Sequence, residues 1–285
     1  MGYQERDREI IDYHLYELPG VKPHPGGGRF RGPRVTGQRY VACVGAAQTF
    51  GCFCEEPYPA LLARSLGVET LNLGAGGAGP TFHNSSPGLL RHINGARLVI
   101  VQVLSARSQS NSLFQTTHHG MEGIRLTDGK RMIAQEFFAE LLRDEPHRVR
   151  EVVEETRRNY LRDMIRLLSD IRPPKILFWF SIRRPEYEEA YELPVWKLWG
   201  AFPQFVNRQM VEALKEHCDD YVECVSSKGL PQPLYAKNGK PTTITYGYSL
   251  LKPEVVTETH NRYYPSPEMH EEAARLLEPV CRKYL

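Results

Sequence analysis

The chain has 285 residues, of which 41% are hydrophobic and 25% charged, with 36 Lys and Arg against 34 Asp and Glu. The formal charge of +2 argues against a general nucleic-acid binder or a membrane-surface protein. A chain of this length buries a large core without disulfides, and no run of 18 apolar residues is present to suggest a membrane span.

Taken in order, residues 1–38 read as an extended N-terminal lead-in with many Gly and Pro. It lacks the apolar core of a signal peptide, so a cytoplasmic location is expected. Arg29, Arg31 and Arg34 crowd the segment GGGRFRGPR, as solvated surface charges or as a local basic cluster. The run RYVACVG then predicts a buried strand, followed by a turn and a helix from Pro57 to Ser65. ETLNLG is a second strand, Pro87 to Ile93 a short helix, and RLVIVQVL a third strand. Residues 112–148 read as an insertion with a helix at Ala134 to Asp144, and a long amphipathic helix is predicted from Val149 to Ile171. PKILFWFS is the fourth strand, Gln204 to His217 a helix, and YVECV the fifth strand. Residues 227–262 are turn-rich and predict a hairpin or lid. Ser266 is placed as the N-cap of a closing helix that runs from Pro267 to Tyr284.

Five nearly continuous apolar runs separated by helical patterns are the signature of parallel strands covered on both faces. The expected fold is α/β: a flavodoxin-like three-layer α/β/α sandwich with a five-stranded parallel sheet of order 2-1-3-4-5. Residues 39–285 are expected to form that single domain. In such sheets ligands bind outside the C-terminal ends of the strands. Those ends deliver Gly45–Gly51, Asn72–Gly79, Ser105–Ser112 and Ser181–Pro185, joined by the C-terminal segment His260–His270.

The turn Gly45-Ala46-Ala47-Gln48-Thr49-Phe50-Gly51, the glycines of Asn72–Gly79 and the segment Asn261–His270 together resemble the SGNH, or GDSL, hydrolases. VGAAQTFGCFCE and YYPSPEMHE also resemble an uncharacterised bacterial group, mainly cyanobacterial. The hydrolase resemblance spans most of the chain and implies a serine turn after strand one, an oxyanion glycine, an oxyanion asparagine and an Asp-x-x-His motif. The nucleophile position falls on Ala47, and its neighbouring aspartate falls on Ala46. The oxyanion glycine falls on Gly77, which is retained. The asparagine falls near Arg107, with Asn111 displaced. The aspartate and histidine of the last motif fall on Asn261 and Tyr264. Acyl transfer needs a hydroxyl, a base and a group that orients the base. The three substitutions therefore argue against standard serine esterase chemistry.

Other groups at the strand ends remain candidates. Gln48 and Thr49 offer hydrogen bonds, Ser105 offers a hydroxyl, and Gly45 and Gly51 permit the bend. His260, His270, Tyr264 and Arg107 are the candidate catalytic groups. Gly45, Ala47, Gln48, Thr49, Gly77, Ser105, Asn111, Arg183, Arg184 and Asn261 are the candidate ligand-binding residues. His118 and His119 lie in the insertion without metal-ligand spacing. No CxxC pair occurs among Cys43, Cys52, Cys54, Cys218, Cys224 and Cys281, so no metal and no cofactor is expected. Cys52-Phe53-Cys54 is read as opening a helix, where a thiol gains thiolate character or is an ordinary reduced cysteine. GAGGAG approaches a dinucleotide fingerprint but has the wrong spacing and follows the second strand. Phe178, Trp179 and Phe180 are expected in the core. Trp196 and Trp199 are expected to pack, or else to line a sugar or lipid pocket.

Three readings stay open. One is an SGNH-like protein without its triad that binds or modifies a glycan- or lipid-type ligand. Another is a transferase with an anionic donor, polysaccharide-modifying or sulfotransferase-like, motivated by Arg107, Arg183 and Arg184 because arginine forks fit sulfate and phosphate. WFSIRRPEY resembles the arginine-proline segment of sulfotransferases, while their Lys-Ser/Thr-Gly-Thr loop is absent after strand one. The third is an esterase with a non-standard nucleophile such as Cys52 or Ser105.

Overall fold

The computed structural model describes residues 3–21, 29–117, 122–249 and 252–285. The expected histidines His118 and His119 lie outside these residues. The central sheet contains β1 (Tyr40–Gly45), β2 (Glu69–Gly74), β3 (Leu98–Gln102), β4 (Lys175–Ser181) and β5 (Asp220–Val225). They are hydrogen-bonded in the order β5-β4-β3-β1-β2, and every pairing is parallel. This is the 2-1-3-4-5 arrangement that the apolar runs predict.

Each strand alternates its side chains between two cores. Ala42, Val44, Leu71, Leu73, Val99, Val101, Leu177 and Trp179 face one layer. That layer is built from α3 (Pro87–Asn94), α4 (Pro146–Asp170) and α5 (Arg208–Lys215). Val41, Cys43, Leu98, Ile100, Ile176, Phe178 and Phe180 face α2 (Tyr58–Leu66) and α6 (Pro267–Cys281) on the other side. Because both faces are covered, the strands read as continuous apolar runs rather than as alternating ones. Ser266 caps α6 as expected, its hydroxyl accepting the Met269 N–H at 3.2 Å. Helix α5 starts four residues later than its pattern predicts. Phe205 takes a positive φ of 66° and Asn207 is the N-cap, accepting from Met210 N–H at 3.0 Å.

In the insertion, Phe114–Thr116, Glu122–Arg125 and Arg131–Ile133 form a three-stranded antiparallel sheet that leads into the helix Ala134–Asp144. Between residues 227 and 262, Ile244–Ser249 pairs antiparallel with Lys252–Glu258, and Gln232–Pro233 pairs with His260–Asn261. Among the described residues no helix is long and apolar enough to cross a membrane.

The lead-in is threaded over the C-terminal strand ends. Its Arg29–Phe30 strand pairs with Tyr16–Glu17 and carries Arg31 into the protein, where only 3% of that residue stays exposed. Arg31 is thus not one of the solvated charges that the sequence allows. Its Nη1 donates to the carbonyls of Phe50 at 3.2 Å and Gly51 at 2.6 Å. Its Nη2 donates to those of Cys54 and Glu55, both at 2.7 Å. The guanidinium also lies 4.9 Å from the Tyr13 ring centroid. The cost of desolvating this cation is offset because its fork donates to four carbonyl oxygens at the bend. Arg31→Ala removes those donors and is expected to lower the unfolding free energy by about 3 kcal/mol or more, read from the urea midpoint. A midpoint equal to wild type would show that other groups hold these carbonyls.

Candidate functional site

The bend after β1 is set by steric limits. β1 ends at Gly45, Ala46 is extended, and one helical turn, α1 (Ala47–Phe50), closes at Gly51 with φ of 83°. A Cβ on Gly45 would collide with Thr49 Oγ1 and lie 2.5 Å from Gln102 Oε1. Glycine lets these groups approach; Gly51 supplies the left-handed φ that a larger residue resists. Gln102, at the end of β3, then ties the bend down. Its Oε1 accepts from Ala46 N–H at 3.0 Å and from the Thr49 hydroxyl at 2.8 Å. Thr49 Oγ1 is also 3.0 Å from the Tyr58 hydroxyl. Asn72 in β2 donates to Thr49 O at 3.0 Å and accepts from Gly74 N–H at 2.9 Å. Thr49 is therefore spent inside the fold. Gln48 is buried, and its Oε1 has no partner.

Ala46 and Ala47 are 4% and 5% exposed, so the nucleophile position of the resemblance is a pair of buried methyl groups. Cys52-Phe53-Cys54 follows Gly51 and does not open a helix, because α2 begins only at Tyr58. Cys52 is completely buried; burial pushes its thiol well above the ordinary cysteine range, against the opposite pull of Arg6. The thiolate expected from a helix N-terminus is thus absent.

The lead-in closes this side of the strand ends. Its short helix Tyr3–Asp7 places the Arg6 guanidinium 4.7 Å from the Phe53 ring, 4.9 Å from Tyr3 and 5.4 Å from Tyr264. Arg6 Nη1 lies 3.4 Å from the Tyr264 hydroxyl, and the same guanidinium pairs with the fully buried Asp7. Asp7 also accepts from Tyr13 OH at 2.6 Å, and that hydroxyl accepts from Phe53 N–H at 3.1 Å. The Tyr3 ring is 5.2 Å from Phe50 and 6.0 Å from Tyr264, and it occupies the space a side chain on Gly76 would need. Burial first, and then Cys52, raises the Tyr264 phenol above its ordinary value. It stays protonated and cannot serve as a base at neutral pH.

The other candidates divide sharply. His270 is fully buried in the first turns of α6, stacked on Tyr58, and its Nδ1 accepts from Tyr58 N–H at 3.2 Å. Burial drives its imidazole down from 6.5 to about 3, so it is neutral in the fold. Asn261 is buried and knots its own loop: Nδ2 donates to Tyr264 O at 2.8 Å, and Oδ1 accepts from the N–H groups of Tyr263 and Tyr264. His260 is half-buried with Nδ1 2.8 Å from Thr259 Oγ1. Asn111 is spent on Thr156 and on the N–H groups of Leu113 and Phe114. Arg183 does not face a ligand: its donors reach the carbonyls of Ala201, Arg184, Pro203 and Val206, and it stacks on Trp179 and Tyr187. Arg184 points its side chain to solvent.

A second group forms at the end of β3. Ser105 Oγ accepts from Arg107 N–H at 3.3 Å, and the Arg107 guanidinium lies 5.6 Å from the Trp199 ring. Ala106 N–H donates to Gln204 O at 3.0 Å, and Gln204 Nε2 lies 3.5 Å from the Tyr263 hydroxyl. The Tyr263 and Tyr264 rings, 5.1 Å apart, join this group to the sealed one. Gly77, with φ of 74°, lies in the loop between Gly76 and the helix Pro80–Asn84. A shallow opening of about 520 Å³ is lined by Glu186, Tyr187, Asn207 and Arg208; Arg208 there is already paired with Glu186 and Glu223.

Sequence reasoning missed Tyr3, Arg6, Tyr13, Gln102 and Gln204. Gln102 did leave a signal, as the polar residue inside RLVIVQVL, and so did Asn72 inside ETLNLG. A fully buried amide in a core strand must be holding something. The lead-in residues left none, since the rings of Phe50, Phe53 and Tyr264 that they meet are distant in sequence.

These features define an open α/β protein with its strand ends partly covered by its own N-terminal segment. The chain belongs to the family described as Domain of unknown function (DUF6473), whose model matches residues 1–119 and 132–285. No curated protein matches it. Among solved structures, it is similar to a lipolytic protein of the G-D-S-L family from Desulfitobacterium hafniense DCB-2. That match has 12% identity and a TM-score of 0.38, covering 85% of this chain and 98% of that one. It is also similar to a family two carbohydrate esterase from Clostridium thermocellum, with 11% identity, a TM-score of 0.41 and coverage of 90% and 67%. A third is a catalytic mutant of an acetylxylan esterase from Geobacillus stearothermophilus, with 13% identity, a TM-score of 0.38 and coverage of 84% and 91%.

The state of His270 sets a pH dependence. The folded protein keeps it neutral down to about pH 3, while the unfolded chain takes up a proton below its ordinary value of 6.5. The unfolded state therefore binds more protons between these values. The contribution is complete above pH 6.5 and is lost as pH falls, with a slope of about 1.4 kcal/mol per unit. Urea titrations of His270→Gln from pH 7 to 4 should lack this part of the slope. A variant that loses stability on acidification as steeply as wild type would refute the assignment.

Proposed function

We propose that this chain is an SGNH-like protein that binds or modifies a glycan- or lipid-type ligand at its strand ends without serine esterase chemistry. The observation that carries this reading is the pair of buried alanines, Ala46 and Ala47, at the bend where the resemblance places an aspartate and a serine. Among the described residues at the bend, the candidate groups do not make an acid-base relay to replace them. His270 is neutral and its Nδ1 is occupied, Tyr264 is held as a phenol, and Cys52 is a sealed thiol. A nucleophile needs a neighbouring base to lose its proton, and none of these groups supplies one near the bend. The end of β3 is different, since Ser105, Arg107 and Tyr263 keep partly exposed groups there. A cytoplasmic location accompanies this reading.

The transferase reading with an anionic donor is favoured by one observation, the Arg107 guanidinium, whose only described side-chain contact is the Trp199 ring. Arg183 no longer contributes to it.

Hydrolysis of p-nitrophenyl acetate and butyrate is expected to equal that of a Gly77→Asp variant. Ala47→Ser should stay equally inactive, because a hydroxyl alone does not restore the base. A thermal-shift panel of hexasaccharides and short acyl chains should raise Tm with at least one probe. Ester turnover clearly above the Gly77→Asp level, or a panel with no shift, would overturn the reading.

A further inference from the structure

Arginines that are partly withdrawn from water are normally tied to acceptors, since an unpaired guanidinium loses hydration without return. This chain follows that rule closely. Arg6, Arg125, Arg148, Arg157, Arg183 and Arg208 all have hydrogen bonds to carboxylates, carbonyls or hydroxyls. Arg107 departs from it. Among the described residues it is the only half-buried arginine whose guanidinium makes neither a hydrogen bond nor an ion pair. It is held in place by the ring of Trp199, which is itself 4% exposed and fixed in the core. Stacking orients the plane of a guanidinium and leaves its N–H edges free to donate.

We infer that Arg107 is the anion-recognition residue of this protein, and that the ligand it takes is a saccharide bearing a carboxylate or a sulfate. The inference rests on the ligand-binding reading of the strand ends and names the ligand's chemistry. Three observations, at neighbours of Arg107 and on the short helix that carries Trp199, point to a sugar rather than to a bare ion. Gln204, joined through its backbone to Ala106, has a buried Oε1 without a partner; such an acceptor is matched by a hydroxyl donor, which an inorganic anion lacks. Tyr263, beside Gln204, is 47% exposed. Trp196, one helical turn from Trp199, is 62% exposed. Exposed aromatic faces are apolar bodies against which the C–H faces of a sugar ring pack. A free fork for the anion, an acceptor for a hydroxyl and aromatic planes together describe an anionic sugar. Arg183 cannot take this part, because its donors are spent on carbonyls.

The test is calorimetry on the full chain at low ionic strength, with four probes. Two are anionic: a hyaluronan hexasaccharide, carrying carboxylates, and sulfated maltohexaose. Maltohexaose supplies the neutral control, and inorganic sulfate the free ion. At least one anionic saccharide should bind about tenfold or more tightly than maltohexaose and than inorganic sulfate, as expected for charge-assisted pairing. Which of the two binds decides between carboxylate and sulfate. Arg107→Ala should abolish the difference, and Arg107→Lys should keep part of it. Arg172→Ala, at an exposed residue before β4, controls for general attraction to polyanions and should bind as wild type. A thermal melt without ligand shows that each variant is folded. Equal binding of neutral and anionic saccharides, binding of inorganic sulfate alone, or a preference that survives Arg107→Ala would overturn the inference and leave the ligand-binding reading standing. Ester turnover would sink that reading without touching an anion preference lost in Arg107→Ala. Binding of none of the four probes overturns the inference.

Discussion

Five carbonyl oxygens crowd the bend between β1 and α2, on Thr49, Phe50, Gly51, Cys54 and Glu55, and buried oxygens of this kind must find donors inside the protein. Within the bend, the Cys54 N–H reaches Gly51 O at 3.2 Å, and side chains reach all five. Asn72 reaches up from β2 for the first, and Arg31 comes down from the lead-in for the other four. The course of the N-terminal segment follows from that need. Once Arg31 is anchored, Tyr13 lies under its guanidinium and Tyr13 OH meets Asp7. Asp7 holds Arg6, and Arg6 reaches Tyr264. The covering of the strand ends is thus a continuation of one backbone problem and its solution.

This arrangement separates two corners that the sheet topology places side by side. At the β1 corner most strong polar groups have an internal partner, with Gln48 Oε1 and Gln102 Nε2 as exceptions, and aromatic rings from both ends of the chain pack there. At the β3 corner an arginine and an amide keep free valences. In open α/β proteins binding groups stand on loops that a rigid sheet positions. The contrast explains how one face of a fold can be stable and self-satisfied while its neighbour still has groups to offer to a ligand.

The sheet was legible because five runs such as RYVACVG and PKILFWFS are continuous in apolar character, which only strands covered on both faces require. Ser266 as a helix cap was legible from local chemistry, since its partner is three residues away. The start of α5 was not, because Pro203–Val206 keeps an apolar pattern while Phe205 adopts a left-handed φ. At the site, the sequence has Ala47, Asn261 and Tyr264 where the resemblance implies a serine, an aspartate and a histidine. The burial of Arg31, the commitment of Arg183 and the sealing of Cys52 could not be read from it. Each depends on carbonyls or rings far along the chain, and a sequence pattern records which groups a residue carries but not whether a distant partner will occupy them.

The hydrogen bond between Arg6 and Tyr264 joins positions 258 residues apart. Closing a long loop carries an entropic cost that grows only slowly with its length. The covering of the β1 corner needs both ends of the chain at once. Lifting the N-terminal segment away would take Tyr3 and Arg6 off the rings of Phe50, Phe53 and Tyr264 and bare apolar surface to water.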